Sequence, residues 1–130
     1  MSQENVEIVR EVYDDWMQGD FTGGKAFDPE VEFVMPDWPE GTETHGRKEM
    51  ARACQAALGA WDEFVAAAGE FLDAGQHVVV ITHVTARGKT SGVVTRATTA
   101  TMWTFDSGKV VRLGLYWDSA KALEAAGLSG

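Results

Sequence analysis

Three histidines are the residues in this 130-residue chain best suited to proton transfer at neutral pH. His83 has the most informative setting. It lies in Val78-Val79-Val80-Ile81-Thr82-His83-Val84-Thr85, a run with strand composition. Period-two geometry puts Val79, Ile81, His83 and Thr85 on one face. A neutral imidazole facing a pocket could accept a proton from an acidic carbon or hydroxyl. The plainer role is a polar side chain hydrogen-bonded to Thr85, Thr99 or Thr101. His45 precedes Gly46 at a helix start and reads as support for that junction, and His77 follows a turn and reads as exposed. The three lack a His-x-x-x-His spacing, and no carboxylate is expected beside them to complete a facial triad. No metal and no other cofactor is therefore expected. Asp118 stands where a helix N-cap belongs, Asp15 is expected to face solvent, and Cys54 among alanines reads as packing. Gly19-Asp20-Phe21-Thr22-Gly23-Gly24 lacks the following Gly-Lys-Thr of a phosphate loop.

The elements that must position these side chains fall into two groups. Val6, Val9, Val12 with Tyr13, and Trp16 with Met17 recur at spacings of three and four, which predicts a helix over 3–18. Phe21 to Phe27 could hold a short second helix, weakened by Gly23-Gly24. Val31 to Met35 reads as a short strand, Asp37 to His45 as a loop, and Gly46 to Trp61 as a long helix. Near residue 62 the period changes to two. Strands are expected over 64–72, 77–87, 93–105 and 109–117, with a turn at Asp106-Ser107-Gly108 and a short helix after Trp117. Helices first and hairpin-linked strands afterwards describe an α+β domain with helices on one face of an antiparallel sheet.

Composition narrows the partners. One domain over 1–130 with 45% apolar and 24% charged residues is ordinary globular protein. A formal charge of −9 repels phosphate backbones and anionic lipid, so neither nucleic acid nor membrane is an expected partner. The polar, acidic Met1-Ser2-Gln3-Glu4-Asn5 does not read as a signal peptide, and a single cysteine excludes an internal disulfide. A cytoplasmic location is the expectation.

Several motifs, in order, resemble the SnoaL-like branch of the NTF2-like superfamily. They are Asn5-Val6-Glu7-Ile8-Val9-Arg10, Gly19-Asp20, Asp28-Pro29-Glu30-Val31-Glu32-Phe33 and His45-Gly46-Arg47-Lys48-Glu49. Phe71-Leu72-Asp73-Ala74-Gly75, Trp103-Thr104-Phe105, Gly108-Lys109-Val110-Val111-Arg112 and Glu124-Ala125-Ala126-Gly127-Leu128 continue the series. The resemblance implies an α+β cone: a strongly bent antiparallel sheet wrapped around the N-terminal helices, with an apolar cavity at the wide end. It also implies inward positions for Trp16, Phe33, Trp103, Leu113, Leu115 and Trp117, with Trp38 at the cavity mouth. His83 takes a cavity-facing position in the same alignment. Ile81, Thr85, Thr99 and Thr101 would share the lining, giving an apolar pocket with sparse hydroxyl anchors.

Members of this superfamily include ketosteroid isomerase, limonene epoxide hydrolase, polyketide cyclases and binding domains, so the fold leaves the activity open. Alignment places Phe33 at the isomerase base, Val12 at its phenol with Tyr13 one step round the helix, and Thr101 at its acid. The epoxide hydrolase Arg-x-Asp aligns with His83 and Thr85, and its Asp on the last strand with Leu115. Neither set is present. Two readings follow. In the first, the domain binds an apolar, polyketide- or terpenoid-like metabolite and performs cyclase, isomerase or hydratase chemistry with His83 as acid–base. In the second, it is a non-catalytic binding or dimerising domain. A homodimer through the outer sheet face is expected, because Val94, Thr98, Ala100 and Met102, with Val110 and Tyr116, would form an apolar outward surface.

Overall fold

The spacing of Val9, Val12 and Tyr13 forms α1, Ser2–Met17, and buries those three side chains on one stripe. The computed structural model describes residues 2–17, 26–36, 42–58 and 61–128. After α1 come β1 (Phe27–Met35), β2 (Thr42–His45), α2 (Arg47–Leu58) and β3 (Trp61–Ala74). Then follow β4 (His77–Gly88), β5 (Val94–Asp106), β6 (Lys109–Tyr116) and α3 (Ser119–Ala125). Gly46, at φ +89°, turns the chain from β2 into α2 while its N–H donates to the Val31 carbonyl at 2.8 Å. Ser107 and Gly108 both take positive φ, the two-residue geometry that matches strand twist, and close the β5–β6 hairpin.

The strands form one curled sheet in the order β2-β1-β6-β5-β4-β3. The helix-to-strand switch and the long hairpins agree with the expected α+β cone. Four details correct the expectation. The sheet is mixed, because β1 runs parallel to β6; the long crossover between them makes that direction possible. Thr42–His45, assigned to a loop, forms edge strand β2 on β1. The long helix, expected to reach Trp61, is α2 over Arg47–Leu58, and Trp61 already belongs to β3. Finally, α3 packs on the opposite face from α1 and α2, so both faces carry helix. The possible second helix over Phe21 to Phe27 lies mostly outside the described residues, although Phe27 itself opens β1.

Cross-strand partners share a face, so the register fixes which side chains meet. Val78, Trp103, Leu113 and Phe33 form one row across four strands. They pack with Val9, Val12 and Tyr13 of α1 and Met50 of α2, which defines the inner face. Val79, Ala100, Met102 and Tyr116 form a second cluster on the outer face beneath Ala122 of α3. The phase of β4 is therefore opposite to expectation: Val79, Ile81, His83 and Thr85 point outward, while Val78, Val80, Thr82 and Val84 point inward. Helices cover both faces of its first half, so Val78-Val79-Val80-Ile81 is apolar throughout and carries no alternation to set the phase. Val110 also changes side. A register shift between Thr104 and Phe105 pairs it with Phe105, and it is fully buried in the inner core rather than outward.

Candidate functional site on the inner face of the sheet

Tyr13 brings α1 onto the middle of β5. Its phenol oxygen lies 2.8 Å from Thr101 Oγ1, and the Trp103 indole N–H donates to the same Oγ1 at 2.8 Å. One row further along, the hydroxyls of Thr82 and Thr99 bond to each other across β4 and β5. These three threonines are buried with Tyr13 on the inner face. Aromatic rings surround them. Tyr13 meets Phe71 edge-on at 6.0 Å between centroids and Trp103 at 5.8 Å, and Trp103 stacks on Phe27 at 5.8 Å. The Arg10 guanidinium lies over the Phe71 ring, 4.2 Å from its centroid.

Burial pushes the Tyr13 phenol well above its ordinary value of 10.0, and the hydrogen bonds with Thr101 and Trp103 only partly oppose that shift. At neutral pH it is an uncharged group that can donate or accept a hydrogen bond. It can polarise a carbonyl or protonate a strong base, and it cannot serve as a general base. Its surroundings are apolar and aromatic, with a few hydroxyls held by hydrogen bonds to one another and to the Trp103 indole.

The structure brings Phe33, Thr99, Thr101, Trp103, Leu113 and Leu115 to this face, as the sequence implied. Trp117 is half-buried between β6 and α3. Ile81 packs instead with the outer cluster, and Thr85 is exposed on the outer face. His83 is also exposed there, opposite Thr98 and Ala67. Its imidazole lies against Gly69, where a Cβ would approach Nε2 to 3.0 Å. Thr99 and Thr101 face the other way, so the expected hydrogen bonds and the base role of His83 go with the inverted register. Trp38 and the side chains of Trp16 and Cys54 lie outside the described residues. Sequence reasoning missed Tyr13 by one helical step; the signal was its place beside Val12 on the buried stripe of α1, aimed at the strand that carries Thr101.

A second constellation occupies the outer face. Glu32 on β1 stands opposite His45 on β2, with Glu43 two residues before His45. Their donor atoms all lie within 4.8 Å of one another. His45 Nε2 is 3.5 Å from Glu32 Oε2, and Arg112 Nη1 is 3.4 Å from Glu32 Oε1. Carboxylates therefore do accompany a histidine, contrary to the sequence reading, and only the β1–β2 pairing reveals it. His77 is half-buried rather than exposed, with Nδ1 2.9 Å from Thr104 Oγ1. Asp118 caps α3 as expected, accepting from the Ala120 N–H at 3.0 Å, and Asp15 is exposed.

The family model for the SnoaL-like domain matches residues 9–113, and the chain belongs to that family. An NTF2-like protein of unknown function from Burkholderia pseudomallei is 25% identical, with a TM-score of 0.79 over 95% of this chain and 97% of that one. TerC, co-crystallised with polyporic acid, is 20% identical, with a TM-score of 0.75 over 95% and 98%. A candidate SnoaL-like polyketide cyclase from Jannaschia sp. CCS1 is 18% identical, with a TM-score of 0.75 over 100% and 95%. No curated protein sequence matches the chain. Among the described residues, no helix is long and apolar enough to cross a membrane.

Proposed function

We propose that this domain binds a small, largely apolar, oxygen-bearing metabolite of polyketide or terpenoid kind on the inner face of the sheet. Tyr13 and Thr101 would anchor its oxygen. The observation that carries this reading is the Tyr13–Thr101–Trp103 hydrogen-bond cluster set among Phe27 and Phe71. The family and the ligand-bound fold relative TerC support it. Any chemistry would be cofactor-free and of cyclase, isomerase or hydratase kind, assisted by a neutral phenol. The non-catalytic alternative has its own support: the buried polar side chains of the inner-face cluster are hydroxyls and the Trp103 indole, without a carboxylate or imidazole to act as base. A cytoplasmic homodimer completes the proposal. Val65 and Val94, 54% and 52% exposed on the outer face beyond α3, support the pairing surface.

Matched probes test the anchor. 2-Acetylnaphthalene and 2-ethylnaphthalene differ mainly in one carbonyl oxygen. Wild-type protein should bind the ketone about five- to tenfold more tightly by calorimetry, the worth of one net hydrogen bond of ~1 kcal/mol. Tyr13→Phe should reduce that preference to near unity. Equal binding of both probes by the wild type would refute the anchor, and binding of neither would refute the inner-face site.

A further inference from the structure

We propose that Glu32, Glu43 and His45 form a binding site for one divalent transition-metal ion, of which Zn2+ is the type, on the outer face at the β1–β2 edge. The site is separate from the inner face, since Phe33 and Thr44 point inward between these residues along the same two strands.

Register places the donors without help from any loop. Glu32 and His45 are directly paired, and Glu43 shares their face because strand side chains repeat every two residues. Spacing matches a coordination sphere. Two ligand atoms each about 2.0–2.1 Å from a tetrahedral zinc stand roughly 3.4 Å apart, and His45 Nε2 is 3.5 Å from Glu32 Oε2. The third donor lies within 4.8 Å of both, and Glu43 is exposed, so rotation of its side chain closes the remaining gap. Arg112 holds the other oxygen of Glu32 at 3.4 Å, which leaves Oε2 directed at the imidazole and orients the carboxylate as the outer hydrogen-bond partners of metal ligands do.

The chemistry selects the ion. One imidazole and two carboxylates suit zinc, nickel or iron better than calcium or magnesium, which prefer all-oxygen cages. Two carboxylates offset by Arg112 leave the neighbourhood negative in a chain of charge −9, which draws cations. Three protein donors leave a coordination position for water. The bound ion would tie the four-residue edge strand β2 to β1, a strand otherwise secured by a short ladder on one side.

The test uses the full chain stripped with EDTA. Calorimetric titration with ZnCl2 at pH 7.5 should show one ion per chain, and zinc should raise the melting temperature. Cobalt should give visible d–d bands of mixed nitrogen–oxygen ligation. His45→Ala and Glu43→Gln should each weaken zinc binding by more than the roughly tenfold that losing an outer partner of a ligand costs. His77→Ala should leave it unchanged, magnesium should not compete, and acidification to pH 5 should release the ion. Both test positions are exposed, so circular dichroism should show intact folding. Absence of stoichiometric binding, wild-type affinity in both His45→Ala and Glu43→Gln, or loss of binding in His77→Ala would overturn the site.

Discussion

Tyr13 illustrates how environment, more than residue type, sets what a side chain can do. Burial raises its pKa above the ordinary 10.0, so the folded state holds the phenolic proton more tightly than the unfolded chain. The resulting stability is fully present below pH 10 and is lost as pH rises toward the folded value. Wild-type protein should therefore lose stability above pH 10 more steeply than Tyr13→Phe in denaturant titrations at successive pH values; parallel profiles would contradict a buried phenol. Thr101 has the complementary vulnerability. Thr101→Val removes the shared partner of Tyr13 and the Trp103 indole, and should cost about 1–3 kcal/mol in chemical denaturation. Neither partnership was legible in sequence. Alignment indicated Val12 for the phenol position, and a helix step of 100° separates two neighbours that are both buried here.

At the scale of elements, burial on both faces erased the alternation that would set a strand's phase. In β5 every residue from Thr99 to Trp103 is buried, so the inward positions of Thr99, Thr101, Trp103, Leu113 and Leu115 were legible only through the family resemblance. β4 could not be phased, because α1 covers one face of it and α3 the other. Its mutational profile should display both coverings. Val79→Ala and Val80→Ala should each cost about 2 kcal/mol, from lost burial plus a residual cavity. His83→Ala, between the same strands but exposed, should stay within about 0.5 kcal/mol of wild type and leave naphthyl ketone binding unchanged. A large effect of His83→Ala on that binding would reinstate the inward register. The strand β2 escaped notice for a different reason: four residues beside two prolines carry too little pattern, and only pairing with β1 extends them.

At the scale of the molecule, the outer face is divided. Its α3 end is closed by the chain's own helix, which covers Ala100, Met102 and Tyr116, three residues first expected to meet a partner. The opposite end presents three cross-strand rows, Glu63-Arg87-Val94, Val65-Thr85-Arg96 and Ala67-His83-Thr98, so the exposed Val65 and Val94 stand among polar and charged side chains. Arg87 already pairs with Asp62 at 3.0 Å and lies 3.5 Å from Glu63, so its charge is matched within the chain. That leaves the exposed Val65 and Val94 as the apolar groups with most to gain from a second copy. A pairing surface of this kind is symmetric, so one substitution alters the interface twice. Val65→Asp should therefore shift sedimentation from twice 14.1 kDa to 14.1 kDa while circular dichroism and melting behaviour of the monomer persist. A 14.1 kDa species already present in the wild type at micromolar concentration would sink the dimer while leaving the ligand site on the inner face untouched.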